Sequence, residues 1–469
     1  MALGYAFFVA LCKGHDSIWE VSVLSNYNEE NALSIRYTAG SIIRFALPTM
    51  IMMLFNALYT GIDGIFVSRY VSTDALSAIN IVIPVTSLLW GLGMMFAAGG
   101  SAIIATKMGA GYARKARQNF TAIIITGSVF GFILALLGTI FLDTIIWALG
   151  ANAAILPYGR VYLGALILFA PAVLVQVLFQ NLFVTAGKPQ FGLAVMIGAG
   201  VTNLVLDFIF IAIMDMGILG AALGTGAGYC ISTIAGLLFF SKQKGTLRFT
   251  KPKIKLHELV FCCYNGSSEL VTQLATAITI FIINMMTMRF AGEKGVAAAA
   301  IIGNTQYLFS TLVLGFSMGV APIISYQYGA QNKGELRRMV KLCFLYEICI
   351  SVGLFLLCML SAPVITNLYT ARGTQAYQIA VDGLKIFSYS FLFSGIAIFV
   401  SALFTALSNG KVSAFLSFIR TFALLTLFLL LLPRIWGIMG VWYATPLADM
   451  IGTLLSIGLL FVYRKKYFG

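Results

Sequence analysis

The sequence predicts an all-α integral membrane protein, with twelve transmembrane helices in two six-helix lobes related by a parallel internal repeat. Three observations carry that prediction. Of the 469 residues, 60% are hydrophobic and 10% charged, and a mean hydropathy of +0.95 exceeds what a water-soluble domain carries. Twelve windows follow one another, each offering the roughly 20 mostly apolar residues that a spanning helix needs, with short polar breaks between them. The chain also resembles itself at a fixed offset of 220 residues.

In order, the windows run over 39–69, 73–106, 118–147, 155–186, 189–214, 216–241, 257–290, 295–327, 339–361, 375–408, 411–432 and 436–463. Each stays apolar for twenty residues or more, whereas barrel strands alternate apolar and polar over about ten, so a β-barrel is disfavoured. The windows leave little chain for a soluble domain, and no extramembrane enzyme is expected. Residues 1–38 form an N-terminal tail. Residues 2–11 are apolar but lack a preceding basic stretch and are too short to span, so a cleaved signal peptide is not expected. The net charge of +14 is explained by its distribution rather than by nucleic acid. Most Lys and Arg lie at the N-terminal end, in the loops after even-numbered windows and at the C-terminus, and this pattern puts both termini in the cytoplasm of a multi-pass plasma (inner) membrane protein. Seven cysteines, an odd number with no Cys-x-x-Cys pair, indicate neither a disulfide framework nor a zinc site.

The repeat carries Phe96, Gly99, Ile103, Ile104, Gly109, Ala110 and Arg117 onto Phe316, Gly319, Ile323, Ile324, Gly329, Ala330 and Arg337, and Gly217, Ile218, Gly220 and Thr225 onto Gly437, Ile438, Gly440 and Thr445. Six windows separate the copies, so both halves insert with the same orientation. The expected units are an N-terminal lobe at 39–242, a Lys-rich cytoplasmic linker at 243–256 and a C-terminal lobe at 257–469. Two such lobes can rock about a central site, as in many secondary transporters. In the sixth window Gly220, Gly224, Gly228, Ser232 and Gly236 recur every four residues, a packing stripe that lets helix backbones approach.

Carboxylates inside the windows are the candidate functional groups, since each costs about 2.5 to 3.5 kcal/mol at a helix centre. Asp63 precedes Arg69 by six residues and Asp207 precedes Asp215 by eight, which sets both about 9 to 12 Å below the outer surface. Asn203 shares a helix face with Asp207. Tyr59, Tyr162 and Thr225 fall at similar depth, so these groups are expected to converge in the outer half of the N-terminal lobe, where two carboxylates share a proton or hold a monovalent cation. The second lobe lacks both acids, which argues against a scaffold role, whereas Thr225 is repeated as Thr445 and is equally read as a packed hydroxyl bonding backbone. Glu269 has two readings, facing a cavity or bonding Asn265, Ser267 and Ser268 nearby. Glu347 and Asp449 are read as internal to the second lobe. Met94, Met95, Met285 and Met286 are candidates to line an adaptable cavity.

These residues resemble the multidrug and toxic compound extrusion (MATE) family of efflux antiporters, in its prokaryotic DinF-like type, over nearly the whole chain from Ile35. The resemblance rests on Pro48 followed by Tyr59-x-x-x-Asp63, Gly-Ala-Gly with Arg117, Asn203-x-x-x-Asp207, and Gly217-Ile-x-Gly220-Ala-Ala-x-x-Thr225. It implies a non-enzymatic exporter of organic cations, drugs or toxic amphipathic compounds, driven by exchange for H+ or Na+ with no other cofactor. It assigns the cation site, for a proton or a possible Na+, to Asp63, Asn203, Asp207 and Thr225, with Tyr162 beside it, and a bend of the first helix to Pro48. Tyr59, Glu269 and Met285 stand as substrate or gating candidates. The tenth-helix aspartate of some relatives reads Ser394 here, which favours an N-lobe site. The expected partners are small organic molecules and membrane lipids, and a monomer is compatible with the sequence. The alternative is a flippase for a lipid-linked sugar, which would need basic residues in the cavity to meet phosphate; only Arg420 and Lys385 offer themselves.

Overall fold

A computed structural model describes residues 32–71, 73–152, 155–242, 245–253 and 255–468, with the side chains of 60, 62–70, 73, 74 and 76 also outside the description. Long helices dominate: α1 (Ala39–Tyr70), α2 (Thr73–Gly109), α3 (Ala113–Ile140), the short α4 (Leu142–Ala148), α5 (Leu156–Ile167), α6 (Ala170–Thr185), α7 (Pro189–Asp207), α8 (Gly217–Lys242), α9 (Leu256–Gly329), α10 (Lys333–Tyr369), α11 (Gln375–Ala406), α12 (Gly410–Phe418), α13 (Leu425–Trp436) and α14 (Ile438–Phe468). Ten helical stretches among the described residues are long and apolar enough to cross a membrane, and α5 with α6 makes a further span bent by 54°. Their outward faces carry Phe132, Leu136, Leu360, Leu368 and Val462, large apolar groups that hydrocarbon rather than water accommodates. The protein is an all-α, multi-pass membrane protein.

Two windows of the sequence, 257–290 and 295–327, fall within the span of α9. Gly292 interrupts it with φ 61° and ψ −155°, a conformation that costs any residue with a Cβ, so two helices meet there at a kink. Helix ends follow local chemistry elsewhere. Asn332 caps α10 by accepting from the Glu335 amide at 3.2 Å, and Thr374 caps α11 by accepting from Tyr377 at 3.2 Å. Pro189 opens α7, where its missing N–H costs nothing. Pro48 lies buried within α1.

The repeat is visible in the backbone. Gly217 and Gly437 both take φ 56° at equivalent helix starts, and Gly111 and Gln331 both have positive φ in equivalent turns. It is also visible in packing. At their basic ends α2 and α9 touch through glycines: a Cβ on Gly109 would overlap the Tyr326 carbonyl, and one on Gly329 would overlap the Thr106 carbonyl, contacts that are images of each other under the offset. Farther along, Gly99 lies against the Cys262 carbonyl and Gly266 against that of Met95, while Gly315 and Gly319 meet the backbone of α1 at Met50 and Ala46. Lys107 and Glu258, 3.0 Å apart, tie the same end together. These contacts form a seam between α2 and α9. The segment before α9 docks on α3, with Arg117 Nε donating to the Thr246 carbonyl at 2.8 Å and the Thr250 amide donating to Thr121 at 3.1 Å.

Candidate functional site

The site forms where α7 loses its α-helical register. Asp207 is the last residue of α7, and Phe208–Ile213 continue as a π-helix, an arrangement found often at functional positions. One turn earlier Asn203 lies on the same face and its Nδ2 donates to Asp207 Oδ2 at 3.4 Å. Asp207 is fully buried and Asn203 nearly so. The packing stripe of α8 makes this possible in a specific way. A Cβ added at Gly228 would come 3.4 Å from Asn203 Cβ, Gly220 lies against Phe210, and Gly224 faces Asp207 so closely that an added Cβ would overlap Oδ1. The glycine at 224 therefore provides the room that the carboxylate occupies.

Beside the pair is a small internal cavity of about 10 Å³, lined by Tyr59 of α1, Gln176 of α6, Asn203 of α7, and Thr225 and Tyr229 of α8. It suits about one water molecule or a small ion. Asn203 Oδ1 and Gln176 Oε1, both buried, have no hydrogen-bond partner among the described residues. Amide oxygens beside a carboxylate form an oxygen donor set that fits a hard monovalent cation or a hydrated proton.

Of the residues expected to converge, Tyr59, Asn203 and Thr225 line this cavity and Asp207 adjoins it. Tyr162 of α5 is buried in the cluster that contains Ala75, Ile218 and Ala222, and does not line the cavity. The backbone of Asp63 belongs to α1, but its side chain lies outside the described residues. Gln176 and Tyr229 are cavity residues that the sequence reading missed. Gln176 is followed by Gln180 one turn on, and this amide pair on an otherwise apolar helix was the available signal.

In the second half, Asp449 of α14 takes Arg420 Nη1 at 3.1 Å and the Ser390 hydroxyl. Arg420 stands in a π-helical segment, Ile419–Leu424. Near Glu269, the Asn265 and Ser268 side chains bond Thr405. Met285 is exposed on α9. Among the described residues no group of His, Cys, Asp and Glu is arranged to hold a metal ion.

The MatE family model matches residues 48–209 and again 270–432, once in each half of the repeat. The chain belongs to the MATE family of transporters. It is 23% identical over 435 residues to the multidrug export protein MepA of Staphylococcus aureus, spanning 91% of this chain and 94% of that protein. A MepA from Staphylococcus haemolyticus is also 23% identical over the same shares. Among solved structures, a MATE transporter in its straight conformation superposes with a TM-score of 0.88 at 21% identity, covering 93% of this chain and 99% of that one. A MOP-superfamily transporter from Pyrococcus furiosus gives 0.86 at 21%, with the same coverage.

Gly224 offers a direct check on this MATE site. Gly224→Ala is expected to destabilise the protein by about 1 to 3 kcal/mol, because the methyl must displace the carboxylate or push α8 away. Gly198→Ala, on the same helix as Asp207 but with open space around it, is expected to stabilise by about 0.5 to 1 kcal/mol through helix propensity alone. Thermal unfolding of the two variants reads the opposite signs.

Proposed function

We propose that this chain is a cation-coupled antiporter of the plasma membrane that exports organic cations, drugs or toxic amphipathic compounds by alternating access. The observation that carries the proposal is the buried, hydrogen-bonded pair of Asn203 and Asp207 beside a cavity of about one water's size, which Asn203, Gln176 and Thr225 help to line. The names of the staphylococcal relatives support the choice of cargo. On this reading α9 crosses the membrane twice, bending at Gly292, and the spans number twelve in two six-helix lobes, 39–242 and 257–469, joined by the linker 243–256. Both termini and the basic ends of the helices are cytoplasmic. The glycine seam then closes the cytoplasmic side, and the coupling site is reached from outside.

In this scheme H+ or Na+ enters from outside and occupies the site formed by Asp207, Asn203 and Thr225, with Asp63 and Tyr59 contributing from α1. Neutralising the carboxylate removes a charge from low dielectric and changes how α1 packs on α7, with Pro48 as the bending point of α1. Cation and organic cargo favour different lobe arrangements, so binding of one weakens the other. Glu269 and Met285 stand on the cargo side. The flippase reading gains nothing from the geometry at Arg420, which already pairs with Asp449.

The test is export of a fluorescent organic cation from proteoliposomes of defined orientation under imposed H+ or Na+ gradients. Export driven by one gradient, which then names the ion, is the expected result. Export driven by neither overturns the proposal and moves the assignment to lipid-linked sugar.

A further inference from the structure

One buried acid takes no part in the scheme above. Glu347 lies within α10 and is wholly buried, and the Ser317 hydroxyl of α9 donates to its Oε1 at 3.0 Å. Its Oε2 has no partner among the described residues. One turn farther, the Ser351 hydroxyl is also buried and without a partner. Buried hydroxyls elsewhere in this protein commonly bond the carbonyl four residues back, as Thr366 does to Ala362 at 2.8 Å, but Ser351 does not. Both oxygens face Gly395 of α11. A Cβ on that glycine would come 3.3 Å from Glu347 Oε2 and would overlap Ser351 Oγ.

The missing side chain at 395 therefore makes room for two oxygens, from a carboxylate and a hydroxyl, that have no hydrogen-bond partner among the described residues, while a third oxygen, on Ser317, bonds the other side of the carboxylate. The other groups packed around it are neutral. Cys343 lies one turn before Glu347 on the same helix, and Ser394 precedes Gly395 on α11. Among the described residues no Lys, Arg or His forms an ion pair with Glu347, whereas Asp449, the other buried acid of this half, has Arg420. A carboxylate without a counter-charge in hydrocarbon is neutralised by binding a cation or a proton. The three oxygens offer what either needs: hydroxyl dipoles that turn to accept or donate, and a short-range negative charge.

We propose that Glu347, Ser317 and Ser351 form a second monovalent-cation site in the C-terminal half, taking H+ or Na+ independently of Asp207. The inference rests on the cation-coupled reading for its meaning in transport, but its test needs no transport. The full-length purified chain is melted in detergent as Asp207→Asn, and as Asp207→Asn with Glu347→Gln. One series varies pH from 8 to 6 without sodium, and the other varies Na+ at fixed pH. A cation bound only by the folded state raises Tm with its concentration. The pH window lies above the usual carboxylate range of about 4, so protonation of unfolded acids does not enter, and His257 and Glu269, common to both proteins, cancel in the difference.

The expected result is a Tm of Asp207→Asn that rises in one series and a rise that vanishes in the double variant. A loss in the pH series names a proton, and a loss in the sodium series names Na+. The same response in both proteins, or no rise in Asp207→Asn in either series, overturns the inference. Should the double variant fail to fold, Ser351→Ala on the Asp207→Asn background decides. An increase of about ten-fold in the cation concentration needed for the half-maximal rise, equivalent to one hydrogen-bond-sized interaction, supports the site, and an unchanged response overturns it. Absence of gradient-driven export by the wild type would strike the coupled-antiport reading alone.

Discussion

Asp207→Asn is expected to abolish gradient-driven export while leaving a folded protein. The substitution keeps the shape of the side chain at the end of α7, and its amide still meets Asn203 and fits the space left by Gly224. What disappears is the charge. A monovalent cation about 4 Å from a carboxylate gains roughly 4 kcal/mol at an effective dielectric near 20, about a thousand-fold in affinity. An amide has no ionised form to hold a proton and offers a cation only a dipole. Export under either gradient should therefore fall by about a hundred-fold or more in proteoliposomes, with thermal unfolding close to that of the wild type. Undiminished export would remove Asp207 from the coupling site.

The second large effect is expected at the glycine seam. Gly99 on α2 leaves no space before the Cys262 carbonyl on α9, and a backbone atom cannot swing aside as a flexible side chain does. Gly99→Ala must part the two helices. Overpacking of this kind costs about 1 to 3 kcal/mol, and since the cost falls only on the arrangement in which the seam is closed, it shifts the balance between closed and open forms by roughly 5- to 150-fold. Cys262 reports the change. It is fully buried in the seam, where its Sγ–H donates to the Phe96 carbonyl at 3.6 Å. In a chain whose other cysteines are replaced, Gly99→Ala should make Cys262 reactive to a thiol reagent and slow export. Gly319→Ala, where the nearest atom is 3.0 Å away, should do so more weakly, and Gly303→Ala, with open space around it, not at all. Equal labelling across the series would show that the seam is not the element that opens.

Much of this molecule was legible in its sequence because membrane solvent imposes one-dimensional rules. Hydrocarbon requires every backbone polar group to be bonded within a helix, so runs of apolar residues mark the spans. The offset of 220 predicted paired elements, and the paired φ values at Gly217 and Gly437 and the mirrored contacts of Gly109 and Gly329 are its three-dimensional form. The spacing of Asn203 and Asp207 put both on one face, and their hydrogen bond follows from that alone. The sixth-window glycines announced a packing face, although not that one of them would make room for an acid.

The sequence by itself determined the helical membrane class, the duplication and the acids that need explanation, since these depend on composition, periodicity and cost along one chain. Tertiary structure alone decided which helix opposes which face. It brought Gln176 and Tyr229 to the cavity, joined Arg420 to Asp449 and set Gly395 against Glu347. The physical reason is that helical periodicity specifies neighbours three and four residues apart, whereas contacts between helices depend on side-chain volumes and backbone approach. Nothing in hydropathy says which helix an amide will face or what an absent side chain will admit, yet both shape the places where an ion can sit.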